Sequence, residues 1–554
     1  MLSKLADGPS SSPRSSKQRV PLSESKEKEK MNKPRLIYYN DAHHFNAKRI
    51  DPPTSIHKLQ WPVDELLGTG VDLLVLGLGY GDVYFHQSKI GRTVGEKKEV
   101  WEEFIDWRIM RMVRDAKEMG TDQVREVIKR GREKGLPVFP SLKLQDMSEP
   151  GGERCGWLKW EHGRAVCLGQ KDERDARWEW CYDFSNELVR QEKLSLIREM
   201  LDDYQADGME LDFMFFPAYF RNAEVEKNIP LMNQFVAQVK ELANEVGRKQ
   251  GRAIPICARV HYRREENLRI GLDVETWLKD KNIDYVVGQV RDVLFDTGLQ
   301  AHWLADTANA AGVAAYIRPP LAVYDERTGF PSIEMYRALG QTLLRQGFAG
   351  LFLGYLSWPF SEREYQILRE VAHPESHGRR DKRYLLQPRE LGTGFAEPPK
   401  RQLPLALGEG ETAKVSILVS DDLESARKDG EMRKPVLTIR FSFFCVEDEV
   451  EFRFNGQVLP LQEAEVTDER ALRIPLQQRP IDAPLSFSAH WFRWRLDIDL
   501  LKPGENTLEV EVKRFEKTAG FTRSINGVEI QTRYKDFVRP EGIEGVSRLR
   551  PLGV

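Results

Sequence analysis

Asp207-Gly208-Met209-Glu210-Leu211-Asp212-Phe213 reads as a short buried strand. Side chains alternate faces along a strand, so Met209, Leu211 and Phe213 share one face while Glu210 and Asp212 share the other. Two carboxylates on a core-facing surface cost several kcal/mol each without partners, so such a pair is kept mainly where water, a cation or a substrate meets it. The segment therefore predicts a strand packed on one side and opening at its end into a polar cavity.

Seven further apolar runs flank it: Leu36 to Asn40, Leu73 to Leu78, Val138 to Leu142, Ile254 to Val260, Tyr285 to Gln289, Ala314 to Arg318 and Gly350 to Gly354. Amphipathic helical stretches lie between them, among them Val100 to Ala116, Gln123 to Lys134, Asn186 to Tyr204, Ile229 to Gln250 and Ser332 to Gln346. Eight strand-helix units predict an α/β chain folded as a (β/α)8 TIM barrel over 35–371. An open doubly wound sheet is the alternative, but Gly77-Leu78-Gly79-Tyr80-Gly81 lacks the third spaced glycine of a dinucleotide turn.

Residues 372–410 are rich in Pro, Arg and Gly and read as a linker. Alternating runs then follow, such as Val436 to Phe444, Glu449 to Phe454, Ala471 to Ile474 and Thr507 to Val512, separated by turns such as Asn455-Gly456 and Pro503-Gly504. They predict an all-β sandwich over 411–540, with 541–554 as a tail. At 554 residues the chain exceeds one core, which agrees with two domains.

The charge balance, 83 Lys and Arg against 86 Asp and Glu, gives no field that would recruit a polyanion, so neither nucleic acid nor a membrane surface is an expected partner. No apolar run has the length of a spanning helix. Five cysteines, Cys155, Cys167, Cys181, Cys257 and Cys445, form neither a disulfide framework nor a zinc spacing. Residues 1–34 lack an apolar signal region and read as a disordered leader, with Met31 as an alternative initiator. As written the chain is predicted cytoplasmic, and periplasmic or secreted if its start is mis-assigned. Oligomeric state is left open.

In a (β/α)8 barrel the site forms where the strands end at their carboxyl termini. The residues expected there are Asp41, His43 and His44 after strand one; Tyr80 after strand two; Lys143 after three; and Glu210 and Asp212 on four. Arg259 and His261 follow on five, Gln289, Arg291 and Asp292 on six, Arg318 on seven, and Tyr355 and Trp358 on eight. Asp82, Asp146, Asp325 and Glu326 are read as solvated loop polarity. A carboxylate-rich, aromatic-lined mouth without a phosphate loop suits glycoside cleavage, which needs one ionised carboxylate and one protonated acid. Asp212 is the expected nucleophile or electrostatic stabiliser, kept ionised by Arg259 and His261. Asp292 leads as proton donor, with Glu210 and Asp325 as rivals. No metal is expected, because His43 and His44 are adjacent and point apart on an extended segment. No cofactor is expected either.

Asp183-Phe184-Ser185-Asn186-Glu187, leading through a helix to Tyr204-Gln205-Ala206-Asp207-Gly208-Met209-Glu210-Leu211-Asp212, resembles the glycoside-hydrolase-like barrel family of bacterial glycosidases. The resemblance covers about 35–370 and implies carbohydrate hydrolysis with Asp212 as the leading catalytic candidate. The string also resembles the chitinase-type DGxDxDxE, but Glu210 replaces its first inner Asp and Met214 stands where its catalytic Glu would be. Phe452-Arg453-Phe454-Asn455-Gly456 and Leu501-Lys502-Pro503-Gly504-Glu505-Asn506 resemble jelly-roll modules appended to glycosidases, which implies a module that binds sugar or braces the barrel. Bracing is favoured, since Trp491 and Trp494 fall on opposite faces of one strand. The expected function is glycosidase activity on a carbohydrate. The alternatives are a non-catalytic sugar-binding barrel, or a lyase or isomerase acting on a sugar acid clamped by Arg259, Arg263, Arg291 and Arg318.

Overall fold

A computed structural model describes residues 33–172, 175–290, 294–323, 330–386, 401–468 and 489–535. Its first half is a closed barrel of eight parallel strands: β1 (Leu36–Asn40), β2 (Leu73–Gly77), β3 (Val138–Lys143), β4 (Met209–Asp212), β5 (Ile256–His261), β6 (Tyr285–Gln289), β7 (Ala314–Arg318) and β8 (Gly350–Gly354). Each strand pairs with the next, and β1 pairs with both β2 and β8 to close the ring. The fold class read from the sequence is the one found. Eight apolar runs of this length, each buried on both faces, are satisfied only by a parallel sheet covered with helices.

The two faces of each strand meet different surroundings. Leu36, Tyr38, Leu74, Leu76, Met209 and Leu211 join the large core between barrel and helices. Phe213, just past β4, packs its ring 5.0 Å from Trp277 on the helix Val274–Lys279. The interior carries a separate apolar floor of Ile37, Tyr39, Leu73, Val75, Phe139, Cys257, Tyr285, Val287, Ala314, Tyr316 and Phe352. Gly208, directly before β4, is required by that floor: a Cβ there would stand 2.4 Å from the Phe139 ring. Above the floor the interior turns polar toward the strand ends.

Helices at Phe104–Glu118, Gln123–Lys134, Glu187–Asp202, Val225–Gln250, Ile333–Arg345 and Glu362–Glu370 fall close to the sequence expectation. The crossover from β1 to β2 does not: it holds helices His43–Arg49 and Ile56–Asp64, which the sequence reading left unassigned. Both are short, Pro52 and Pro53 lie between them and Pro62 sits inside the second, so neither shows a sustained helical period.

The second half is a two-sheet sandwich. Strands β9 (Lys382–Leu386), β10 (Thr412–Val419), β11 (Met432–Ser442), β12 (Glu449–Phe454), β13 (Gln457–Leu459), β14 (Glu465–Asp468), β15 (Ala489–Arg495), β16 (Gly504–Arg514) and β17 (Ser524–Tyr534) form antiparallel sheets ordered β9-β17-β11-β15-β14 and β10-β16-β12-β13. Leu437, Ile439, Phe441, Phe452, Phe454, Phe492, Trp494 and Ile530 fill the space between them. The predicted strand Ala471 to Ile474 lies outside the described residues. The segment read as a linker contributes β9, which pairs with β17 and ties the sandwich to the barrel, with the Leu385 amide donating to Thr297 Oγ1 at 2.8 Å. Thr342 on the helix Ile333–Arg345 and Ser420 share a hydroxyl hydrogen bond of 2.8 Å across the same contact.

Candidate active site

The pleat of β4 aims Glu210 and Asp212 into the barrel, on the opposite side from Met209 and Leu211. Their neighbours in register are Ser141 and Cys257 for Glu210, and Lys143 and Arg259 for Asp212. Arg259 organises the pair. Its Nε donates to Glu210 Oε1 at 2.9 Å, and its Nη2 meets Asp212 Oδ2 at 2.5 Å as an ion contact rather than an aligned hydrogen bond. The guanidinium lies 4.4 Å over the Tyr39 ring and 5.3 Å from that of Phe352. These rings hold it flat and exclude water.

The two carboxylates stand at different depths. Glu210 has no exposed surface and accepts a second hydrogen bond from the Ser141 hydroxyl. Burial pushes its carboxyl up to about 7; the Arg259 charge opposes this and the Asp212 charge adds to it. Asp212 is at the strand end, still 3% exposed. Its Oδ1 accepts the amides of Met214 at 2.8 Å and Phe215 at 3.0 Å, where the chain turns over the strand. Two backbone donors and a guanidinium thus occupy both of its oxygens.

At the end of β1, Asp41 accepts the His44 amide at 3.0 Å and pairs with the His44 ring. Burial works against its charge, but the His44 bond and the Lys143 charge overcome it and hold the carboxyl below its usual range. Gly77 permits this approach, because a Cβ there would lie 2.6 Å from the Asp41 carbonyl oxygen. His43 stacks on Tyr80 with ring centroids 4.0 Å apart, and the Arg154 guanidinium lies 3.5 Å from the same Tyr80 ring. Burial pushes His43 down to about 3; the Asp41 charge opposes this, while His44, Lys143 and Arg154 act in the same direction as burial. His43 is thus a neutral ring in the wall.

The segment carrying His43 and His44 opens a helix, so the argument from an extended chain fails: Asp41, His43 and His44 can each offer a ligand atom within 4.8 Å of the others. The electrostatics run against a cation there, since Asp41 is already engaged by His44 and Lys143 and Arg154 bring positive charge to the same wall.

Around the remaining rim, His261 aligns with Gln289 and Gln289 with Arg318. Asn267 fixes His261 through its backbone at 2.9 Å, and His261 Nδ1 accepts the Arg263 amide at 3.1 Å, leaving the proton on Nε2. Gln289 Oε1 lies 3.5 Å from Arg259 Nη1. Lys143 reaches the Gly79 carbonyl at 3.3 Å and sits 4.4 Å over Phe215, and burial lowers its ammonium. Arg318 lies 5.2 Å over Tyr355. Tyr355 is 5.7 Å from Tyr39 and tilted by 56° to it, so two arginines and two tyrosines form one run of contacts from β5 to β7.

One expected site residue is elsewhere. Trp358 lies in the helix layer, with its ring 5.6 Å from Phe45 and its Nε1 donating to Glu65 Oε1 at 3.1 Å. The chain turns outward after Tyr355, which withdraws Trp358 from the cup. Arg291, Asp292, Asp325 and Glu326 lie outside the described residues. Asp82 and Asp146 are no solvated loop acids: Asp82 is buried against Lys193 at 2.9 Å, and Asp146 against Lys159 at 3.0 Å. They stitch down the long loops after β2 and β3.

Sequence reasoning missed Tyr39 and Ser141, which hold Arg259 and Glu210 in place. Both sit inside apolar runs, where period-2 alternation with Asp41 and Lys143 was the available signal. It also missed the backbone strain. Ala42, Phe216 and Tyr355 have φ of 58°, 53° and 57° just past β1, β4 and β8. Non-glycine residues in this region cost about 1–3 kcal/mol each and gather where a site over-determines them.

No known protein family matches the sequence, and no curated protein does either. Solved structures resemble the fold at low identity. A cycloisomaltooligosaccharide glucanotransferase from Paenibacillus sp. aligns over 89% of this chain and 57% of its own, at 10% identity and a TM-score of 0.35. A maltogenic alpha-amylase from Thermotoga neapolitana aligns over 85% and 98%, at 10% identity and 0.36. A glycoside hydrolase family 18 N-acetylglucosaminidase from Paenibacillus barengoltzii aligns over 62% and 100%, at 11% and 0.34. This chain thus spans little more than half the length of the glucanotransferase. Among the described residues no helix is long and apolar enough to cross a membrane.

Proposed function

We propose that this chain is a glycoside hydrolase in which Asp212 is the ionised carboxylate that meets the anomeric carbon. The observation that carries the reading is the clamp on Asp212, two backbone amides on one oxygen and Arg259 on the other, at a strand end where Tyr39 and Phe352 flank Arg259 and Phe215 flanks Lys143. A carboxylate fixed in this way is aimed where an oxocarbenium-like transition state develops its charge. Glu210, sealed beneath it, is assigned to positioning: it fixes the guanidinium that fixes Asp212.

The proton donor is assigned to Asp292, the acid that follows β6 in sequence. Asp212→Asn assayed on a panel of aryl glycosides tests the reading. Turnover of the accepted glycoside is expected to fall at least about 100-fold, the lower end of what one such group supplies. A variant with wild-type turnover, or a panel that the wild-type chain leaves untouched, overturns it.

A further inference from the structure

Arg259 is shared by two carboxylates and Asp41 is engaged by His44, while for two other cations at the strand ends no carboxylate lies within ion-pair distance among the described residues. Among the described residues neither Lys143 nor Arg318 makes an ion pair. Among the described residues Lys143 meets the Gly79 carbonyl and the Phe215 ring, and Arg318 meets the Tyr355 ring. Both are half-buried at strand ends. β3 and β7 stand four positions apart in a ring of eight, so the two side chains enter the cup from opposite walls, with Asp212 adjoining Lys143 in register.

Cations taken from water without a counter-charge cost several kcal/mol, and a chain retains them where an anion arrives. Glu210 and Asp212 are both taken up by Arg259, so neither makes an ion pair with Lys143 or Arg318 among the described residues.

We infer that the sugar bound in this barrel carries an anionic group, a carboxylate or a sulfate, held between Lys143 and Arg318. The planar fork of Arg318 suits a carboxylate bidentately, while Lys143 supplies a point charge. The inference rests on the barrel mouth being a sugar site, the reading proposed above, and it names the class of sugar.

Titration calorimetry on the full chain tests it, with methyl glucuronide, methyl galacturonide and methyl glucoside 6-sulfate against methyl glucoside and methyl galactoside. An anionic member is expected to bind at least about tenfold tighter than its neutral twin, with the advantage shrinking as salt rises. Preference for a uronide identifies the carboxylate as the source, and preference for the 6-sulfate identifies the sulfate. Arg318→Gln is expected to remove most of the preference and Arg318→Lys to keep part of it, the preference being read in each variant as the ratio of anionic to neutral twin. Circular dichroism checks both variants, and Lys143→Gln gives the same readout if Arg318→Gln does not fold. Equal binding of charged and neutral twins, no binding of any anionic member, or a preference that survives both substitutions overturns the inference. Binding is read without turnover, so a uronide held tightly but not cleaved overturns the hydrolase reading alone. Cleavage of neutral glycosides without anion preference overturns this one alone.

Discussion

Replacing Glu210 by Gln isolates the energetic consequence of burying an acid beneath Asp212. The Glu210 carboxyl has no exposed surface, and burial first, then the Asp212 charge, push it from 4.5 to about 7 against the pull of Arg259. An acid whose pKa rises on folding binds its proton more tightly in the folded chain. Its stabilising share is fully present below 4.5 and is lost as pH climbs through about 7. The interval from 4.5 to about 7, at about 1.36 kcal/mol per pH unit, amounts to roughly 3 kcal/mol. Gln has the shape of the protonated acid and carries no charge, so it does not titrate.

Urea unfolding followed by tryptophan fluorescence from about pH 4 to about pH 8 reads the difference. Near the acid end the two proteins are expected to agree within a few tenths of a kcal/mol. Toward pH 8 the variant should become the more stable, by roughly 3 kcal/mol. Glu65, which burial pushes up to about 8, titrates alike in both proteins and cancels in the difference. Parallel curves, or a wild type that gains on the variant as pH rises, would refute the picture of Glu210 as a sealed acid held by Arg259. Catalysis supplies a second check: Glu210→Gln weakens the grip on Arg259 without removing it, so turnover should drop far less than in Asp212→Asn.

The barrel was legible because eight short runs of β-branched and aliphatic residues recur between amphipathic helices, and four of them, at Leu36, Tyr285, Ala314 and Gly350, match the strands residue for residue. Parallel strands buried on both faces cannot hide in a sequence, whereas short helices interrupted by proline can. That is why His43–Arg49 and Ile56–Asp64 went unread. Strand β9 was concealed for a different reason. Lys382-Arg383-Tyr384-Leu385-Leu386 looks basic and loop-like, yet the buried ammonium of Lys382 is neutralised by Asp421 at 2.9 Å, a partner no local pattern announces.

The site was half legible on the same grounds. The alternation in Met209-Glu210-Leu211-Asp212 is enough to place both acids inside the barrel. It says nothing of depth, and depth separates a residue that meets substrate from one that holds another in position. Trp358 shows the converse: its distance from β8 along the chain suits the rim, but the turn at Tyr355 with φ of 57° sends it into the helix layer. Backbone dihedrals of this kind are set by the packing around them and leave no mark in residue type.

Further tests follow from other buried groups. The His43 ring should show no imidazole titration by NMR between about pH 5 and about pH 8, because burial holds its pKa near about 3; a midpoint near 6.5 would contradict the stacked, desolvated geometry. Trp358→Ala should cost about 3–5 kcal/mol in urea unfolding while leaving KM for an accepted glycoside within about twofold, and a large rise in KM would return this ring to the cup. Lys193→Met strands the Asp82 carboxylate and should cost about 3–5 kcal/mol. Asp421→Ala carries the sandwich argument furthest. Its carboxylate, 1% exposed, accepts from Lys382, from Tyr384 at 3.0 Å, from Thr532 at 2.6 Å and from Tyr534 at 2.7 Å, joining β9 and β17 to the turn after β10. Removing it leaves the Lys382 ammonium buried without a counter-charge, and breaking a buried pair from one side costs about 3–5 kcal/mol. Since Lys382 is the stranded group, the double variant Lys382→Met with Asp421→Ala should recover a good part of that loss. If the double variant is no more stable than Asp421→Ala alone, the cost lies in the lost hydroxyl bonds, and the ion pair is not what fastens β9 to the sheet.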